Sequence, residues 1–471
     1  MAEPNEIVAL STPQFLRRFA LMLAISIALG FSGGLLGLEV HQRVACAVFL
    51  AIVLGTLMFW TFRLAIAFLG IAVLIFTKSL NIPHFVEASA LPVILFLAGM
   101  MIVVGALRDL GFFTWVVQGI IDMPNMTGAR FIAAVAFTSA LLACAVDEVT
   151  SIIFTATLVF QVCDRLKLNP VPYVIICVVC TNVGSSGTML GNPVGIFIGT
   201  RAGLTFLDFL IWAFPIMLVS LVITLGLTMF WYRRELNEFD QRLRDRINRH
   251  LSLVPKVDVP YKRGLALITV TILFIASHHF LEEVIGLDTN SILLVAPLVC
   301  AGLIMIIRRD RARHYVEHEV DWWTLLFFMM LFAIAGTLEY TQVTVLMAEN
   351  FSHHFGESLL VLVPVITAVS AVGSAFVDNV IFVAAFAPVV EEMGDSIHAM
   401  PLWWALLFGA CLGGNITLIG STANIVALGM LEKHYRAHVR FLDWLKIGGL
   451  CGLATCVIAS LLVLALSPWM P

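Results

Sequence analysis

The chain has 471 residues, 60% of them hydrophobic and only 12% charged, about half the charged fraction of an ordinary soluble domain. Apolar runs recur from residue 19 to residue 468, which excludes a soluble domain carrying a single anchor. Alternating ten-residue segments of an outer-membrane barrel do not occur. The net charge of −4 carries little information, because the charges are segregated into loops; nothing points to a nucleic-acid partner or a cofactor.

In chain order, Arg17 and Arg18 precede a long apolar run with no small-residue cleavage site, so the first helix reads as retained. The expected spans are 17–37, 44–60, 62–79, 91–108, 172–200, 206–232, 264–283, 289–307, 321–341, 402–431 and 442–468. Two further apolar regions, 130–163 and 358–391, are interrupted around 146–151 and 374–379. Each has the length of two half-helices joined at a tip and reads as a re-entrant hairpin. Non-helical backbone is tolerated at membrane depth only where protein or a water-filled cavity satisfies it. The expected fold is an all-α polytopic membrane protein of about 11 transmembrane helices plus two hairpins. Four parts follow: residues 1–43 with the first helix, a first repeat over 44–232, a basic connection over 233–263 and a second repeat over 264–471.

The connection contains "YRRELNEFDQRLRDRINRH" from Tyr232, and nine of residues 233–263 are Lys or Arg. It reads as a solvated cytoplasmic helix. The halves around it look related. "GALRDLGF" at Gly105 precedes "GTLEYTQV" at Gly336 by the same distance along the chain that separates Asp147 from Asp378. After each hairpin comes a Gly-, Asn- and Thr-rich break, "TNVGSSGTMLGNPVG" from Thr181 and "GGNITLIGSTAN" from Gly413. The repeated order of elements is the pattern of an internal repeat. Arg17, Arg18, Arg63, Arg108, Arg130, Arg165, Lys167, the basic connection, "RRDRAR" from Arg308 and "EKHYRAHVR" from Glu432 would be cytoplasmic. Acids surround the second hairpin: Glu339, Glu349, Glu357, Glu391, Glu392 and Asp395. The first hairpin is therefore expected to enter from the cytoplasm and the second from outside, which makes the repeats inverted. Lys78 and Arg201 fall on the outer side as exceptions.

Two hairpin tips and two broken helices are expected to converge at the midplane. Freed carbonyls and side-chain oxygens suit hard cations, and half-helix N-termini suit anions. The candidate ion- or substrate-binding residues are Asp147, Glu148 and Thr150 in the first tip and Asp378 and Asn379 in the second. The breaks add Asn182, Ser185, Ser186, Thr188 and Asn192, then Asn415, Thr417, Ser421 and Asn424. Intramembrane carboxylates cost roughly 2.5–3.5 kcal/mol even on translocon scales, so they point to function more than a lone Ser or Asn does. Adjacent Asp147 and Glu148 cannot both ionise cheaply in low dielectric, which makes the pair a candidate proton site. Sodium is expected at Asp147, Asp378 and Asn379. The nine cysteines suit buried thiols, including Cys177 and Cys180 of a C-x-x-C. The two "SHHF" stretches read as interfacial anchors, and Trp322, Trp323, Trp403 and Trp404 as aromatic-belt residues. No P-loop occurs, and no enzyme motif stands out.

"VDEVTSIIF", "TNVGSSGTMLGNP", "VDNVIF" and "GGNITLIGSTANIV" together resemble the ion transporter superfamily. The chain is similar to its ArsB/NhaD permeases, with their citrate-transporter-like domain and kinship to the melanosomal P protein group. The resemblance covers most of the chain from about residue 45. It implies two inverted repeats with scaffold and transport parts, elevator-type alternating access and frequently a homodimer. The hairpin pair Asp-Asn of that family stands here as Asp378–Asn379, but Glu148 replaces the Asn after Asp147. The usual Gly-Asp-Pro-Pro-Asn is here Gly191-Asn192-Pro193-Val194-Gly195.

The leading functional expectation is an ion-coupled secondary transporter, a sodium/proton antiporter, because the tips supply three acids and no evident anion-binding Arg or Lys. Arsenite or antimonite efflux is second, with Cys144 and Cys180 as contacts. Coupled uptake of a di- or tricarboxylate is third. A channel would need a continuous polar pore, whereas these polar residues cluster at one depth. The implied partners are a small inorganic ion or small anion, a proton or sodium as coupling ion, and the lipid bilayer. The implied location is a bacterial inner membrane with the N-terminus cytoplasmic.

Overall fold

The computed structural model describes residues 12–121, 123, 126–248, 261–288, 290–394 and 398–470. Residues 1–11, the later part of the expected basic connection (249–260) and Asp395 lie outside the described residues. Among the described residues the regular elements are all helical, as a lipid environment requires of backbone groups that find no water. Among them, nine helices are long and apolar enough to span a membrane, or ten if the pair Tyr261–Ala276 and His278–Ile285, bent by 54°, is one span. The expected spans 62–79 and 289–307 are the shorter helices Arg63–Phe76 and Ser291–Ile307. Short helices that hydropathy did not resolve join them: Ile82–Ala88, Phe112–Ile121, Val343–Phe355, and Ala312–His314 continuing through Tyr315–Glu319.

The chain forms two compact units. One comprises Met1–Leu91 with Trp322–Ala348, and the other Pro92–Asp321 with Glu349–Pro471. In the first, Arg63 is buried, with its guanidinium carbon 3.9 Å from the centre of the Trp60 ring and 4.6 Å from that of Phe327. The two aromatic faces supply the cation–π contact that makes a buried Arg tolerable.

The second unit holds every candidate site residue. Its first hairpin is Gly128–Ala145 and Glu148–Leu166, joined through Val146 and Asp147. Its second is Leu359–Phe376 and Asn379–Met393, joined through Val377 and Asp378. Both lie close to their expected limits, but their arms are longer than the expected half-helices: Gly128–Ala145, Glu148–Leu166 and Leu359–Phe376 are themselves among the nine helices long enough to span. The two expected breaks are present: Val171–Gly184 stops before Pro193–Arg201, and Met400–Gly413 stops before Thr422–Tyr435.

Each hairpin packs its first arm against the first half of the following broken helix, and a glycine of that half lies directly against the arm's backbone. A Cβ on Gly184 would lie 2.2 Å from the Ala140 carbonyl oxygen, and one on Gly413 would lie 2.4 Å from Ala371 Cα. Ala140 and Ala371 stand at the same sequence offset as Asp147 and Asp378, and Gly184 and Gly413 at nearly the same one. One packing solution therefore occurs twice.

The hairpin bases have different neighbours. The first rests on the helix Arg233–Asn248, where Gly128 N–H donates to Asp240 and Phe131 stacks on Phe239. That helix is not wholly solvated as charge alternation suggested. Leu236, Phe239 and Leu243 recur at three- and four-residue spacing and are buried, while Arg233, Arg234, Arg242 and Arg244 are exposed on the other faces. Tyr435 hydroxyl also donates to Asp164 Oδ1 at 2.6 Å at this base. The base of the second hairpin carries instead an ion pair of Arg201 with Glu391 at 3.2 Å.

Gly184→Ala and Gly413→Ala are predicted to destabilise the protein by about 1–3 kcal/mol or more through overpacking against fixed backbone. Gly226→Ala, with nothing within 4 Å of the added carbon, is predicted to be neutral. Thermal unfolding of the purified variants checks the contrast.

Candidate transport site

Among the described residues, the second arm of each hairpin and the second half of each broken helix begin with a side chain that accepts a first-turn N–H. Asp147 accepts from Thr150 N at 2.7 Å, and Asp378 from Val380 N at 3.0 Å. Asn192 accepts from Gly195 N at 2.9 Å, and Ser421 from Ala423 N at 3.1 Å. The local reason is common to all four. The leading N–H groups of a helix have no partner in the helix, and Asp, Asn and Ser are the side chains that best supply one.

The four starts are tied together by a continuous set of hydrogen bonds. Ser421 Oγ donates to Asn182 Oδ1 at 3.0 Å and lies 3.3 Å from Glu148 Oε1. Thr422 Oγ1 donates to Asp378 Oδ2 at 2.9 Å. Asn182 Nδ2 donates to Asn415 Oδ1 and Asn424 Oδ1, both at 2.8 Å. Asn424 Nδ2 in turn donates to the carbonyls of Gly414 and Thr417, holding the second break closed. Asn192 Nδ2 donates to Ser185 Oγ at 2.9 Å and to Cys411 Sγ at 3.2 Å. Ser185 Oγ donates to the Asn182 carbonyl. The bonds Ser421 to Asn182 and Asn192 to Cys411 are equivalents across the halves. The offset that carries Gly184 to Gly413 also carries Asn192 to Ser421 and Asn182 to Cys411.

Three other candidates serve the breaks locally. Thr188 Oγ1 donates to the Cys144 carbonyl and Thr417 Oγ1 to that of Ala375, again in matching places. Ser186 Oγ donates to the Val183 carbonyl. Thr150 contributes its backbone N–H to the Asp147 cap. Asn379 is buried as the first residue of its helix.

The three acids are therefore unequal. Asp147 and Asp378 have hydrogen-bonded oxygens and define helix starts. They cap different helices, and among the described residues no three His, Cys, Asp or Glu side chains gather as a metal-binding group. Glu148 is 5% exposed, and its Oε2 has no hydrogen-bond partner among the described residues. The Ser185 hydroxyl is a neighbour of this carboxyl and donates to the Asn182 carbonyl. Asp378 and Asp147 both act on Glu148 electrostatically.

Sequence reasoning missed two features. Ser139 Oγ gathers Thr155 at 2.9 Å and Thr181 at 2.6 Å, clamping the first hairpin to the first broken helix. Single hydroxyls in apolar helices usually bond their own turn, so only the recurrence of a serine at the matching place, Ser370, hinted at it. A cation also lies close: the Arg108 guanidinium carbon is 6.0 Å from the centre of the Phe154 ring on the second arm of the first hairpin.

Paired hairpins, broken helices and a buried polar seam joining two repeated halves define a membrane transporter. The citrate transporter family model matches residues 49–409, and the chain belongs to that family. An uncharacterized transporter of Mycobacterium tuberculosis is 32% identical over 346 residues, 72% of this chain and 78% of the relative. The P protein of Mus musculus is 24% identical over 510 residues, 90% of this chain and 60% of that protein. The crystal structure of the Alcanivorax borkumensis YdaH transporter aligns with a TM-score of 0.55 at 15% identity, covering 84% of this chain and 88% of that one. That likeness is one of fold.

Asn182→Ala would leave two buried amide oxygens without their donor, at about 1–3 kcal/mol each. Asp147→Asn and Asp378→Asn keep an accepting oxygen at the cap and are predicted to stay within about 1 kcal/mol of the parent. Thermal midpoints of the three variants test this order.

Proposed function

We propose that the protein is a proton-coupled secondary transporter in which Glu148 carries the proton. The observation that carries this reading is the unpartnered Glu148 Oε2, buried beside two further acids that are committed to capping helices. Three carboxylates in one seam repel one another even at helix N-termini, so in this reading a proton or a metal cation accompanies them. Exchange of one for the other is cation/proton antiport, with sodium held by oxygens of Asp147, Asp378 and Asn379.

A second reading has its own support. Four helix N-termini converge on the seam, each equivalent to about half a positive charge, and the family takes its name from citrate. In that reading a small carboxylate is the cargo and the proton on Glu148 travels with it. The arsenite alternative loses ground, because the Cys144 thiol donates to the Gly184 carbonyl at 2.8 Å and Cys180 is wholly enclosed.

The reading includes a cytoplasmic base for the first hairpin, beside the arginine-rich helix, and an outer base for the second, beside Glu391. The N-terminus is then cytoplasmic, in a bacterial plasma membrane. Elevator-type movement and a homodimer enter from the family resemblance. Single cysteines at exposed Asn169 and Glu357 are predicted to react with impermeant reagent from opposite membrane sides. Labelling of both from one side contradicts the inverted arrangement.

Proteoliposomes with an internal pH dye, tested with sodium, lithium, arsenite and citrate, test the function. Glu148→Gln is predicted to abolish substrate-driven proton movement, and Asp378→Asn to reduce transport at least about tenfold while the protein remains folded, about 1.4 kcal/mol or more of lost interaction. Parent-like transport by both variants would remove the site.

A further inference from the structure

The motif "GALRDLGF" plays no part in the seam, yet it builds a charged cluster beside the second arm of the first hairpin. Arg108 Nη1 pairs with Glu319 Oε2 at 2.9 Å. Glu319 reaches Arg108 by lying over Gly105, where an added Cβ would stand 2.6 Å from its Cγ. The next residue, Asp109, accepts from Arg311 at 2.7 Å and from the Tyr315 hydroxyl at 2.8 Å, fixing the segment that carries Glu319. His314 Nε2 stands 3.9 Å from the other Glu319 oxygen.

The internal repeat shows that this arrangement is not a requirement of the fold. The offset between the hairpin aspartates carries 105, 108, 109 and 88 to 336, 339, 340 and 319. Gly336 packs on Ala88 just as Gly105 packs on Glu319. There, however, the matching residues are Glu339 and Ala88, which cannot form the pair. The packing is common to both halves, and the ion pair belongs to one.

The position of that pair has a consequence. The Arg108 side chain is 49% exposed, while Glu319 is only 12% exposed. Its guanidinium lies beside Phe154, within electrostatic reach of Asp147. An anion approaching the first hairpin gains from Arg108 in competition with Glu319. A cation approaching the same place is repelled to the extent that Glu319 does not neutralise it.

We propose that Arg108 is a specificity-determining residue: it sets the charge preference beside the first hairpin, and Glu319 controls how much of its charge the cargo meets. This rests on the reading that the hairpin tips hold the cargo. The effect is the electrostatic influence of a half-exposed group, so it alters apparent affinity about two- to fivefold and does not switch transport on or off.

The test measures half-saturating concentrations of radiolabelled sodium and radiolabelled citrate in proteoliposomes. It compares the full-length parent with Arg108→Gln, Arg108→Lys, Glu319→Gln and the exchange Arg108→Glu with Glu319→Arg. Arg108→Gln is expected to lower half-saturation for sodium, or raise it for citrate, by about two- to fivefold. Glu319→Gln is expected to shift it the opposite way, and Arg108→Lys to stay near the parent. The exchange restores an ion pair and with it thermal stability, but it is expected to shift half-saturation in the same sense as Arg108→Gln. Restoration of both stability and half-saturation by the exchange overturns the proposal, as does a change in maximal rate alone, because the pair is then only a structural clasp. A parent that binds and moves neither probe removes the functional reading beneath it. Unchanged half-saturation in a transporting protein removes only the role of Arg108.

Discussion

Among the described residues, four helices start at the polar seam of the second unit, and the first N–H groups of each must be satisfied where water is scarce. That requirement governs the rest of the structure. Asp147, Asn192, Asp378 and Ser421 meet it, each with one oxygen on its own first turn. A chain that breaks its helices in an apolar environment does so at low cost where such residues satisfy the freed groups. Once the caps are fixed, their neighbours follow. Ser421 brings Asn182, Asn182 brings Asn415 and Asn424, and Thr422 brings Asp378. The polar seam is the sum of these obligations, and Glu148 is the group that they leave with an oxygen to spare.

The two halves share a skeleton and diverge in chemistry. The close approaches at Gly184 and Gly413, and the threonine bonds from Thr188 and Thr417, repeat almost residue for residue. Yet Glu148 matches Asn379, and Arg108 matches Glu339. Packing constrains the glycines and caps in both halves alike, because each is held by backbone. Positions that face the seam or flank the hairpins are free to differ, and a transporter needs that difference if its two halves are to play unequal parts. The acid at 148 and the cation at 108 both belong to the first hairpin and its flank, which makes that hairpin the chemically specialised one.

Much of this was legible in the sequence. An acid in an apolar run, repeated at a constant offset, located both hairpin tips, and the glycine-rich stretches located both breaks. Each depends on local chemistry: a helix cannot continue through such residues in lipid at low cost. The unequal status of the three acids was not legible. Adjacent Asp147 and Glu148 look alike in sequence, and only the extended backbone at Asp147 turns one into a cap and the other into the first helical residue. Arg108 was missed as a neighbour of the site for a similar reason. It is far from Phe154 in sequence, and hydropathy places it merely at the end of a span. The buried face of Arg233–Asn248 was hidden by its charges, although Leu236, Phe239 and Leu243 carried the helical spacing that reveals it.

The central claim is that Glu148, at the junction of the halves, exchanges a proton as cargo binds. Its most direct test is the proton count on binding to purified protein in weakly buffered solution, followed with a pH indicator. The account predicts release of about one proton per chain on sodium binding, or uptake of about one on carboxylate binding, the one-proton capacity of a single carboxyl group, and neither in Glu148→Gln. Binding without any proton exchange, or exchange that persists undiminished in Glu148→Gln, would contradict it.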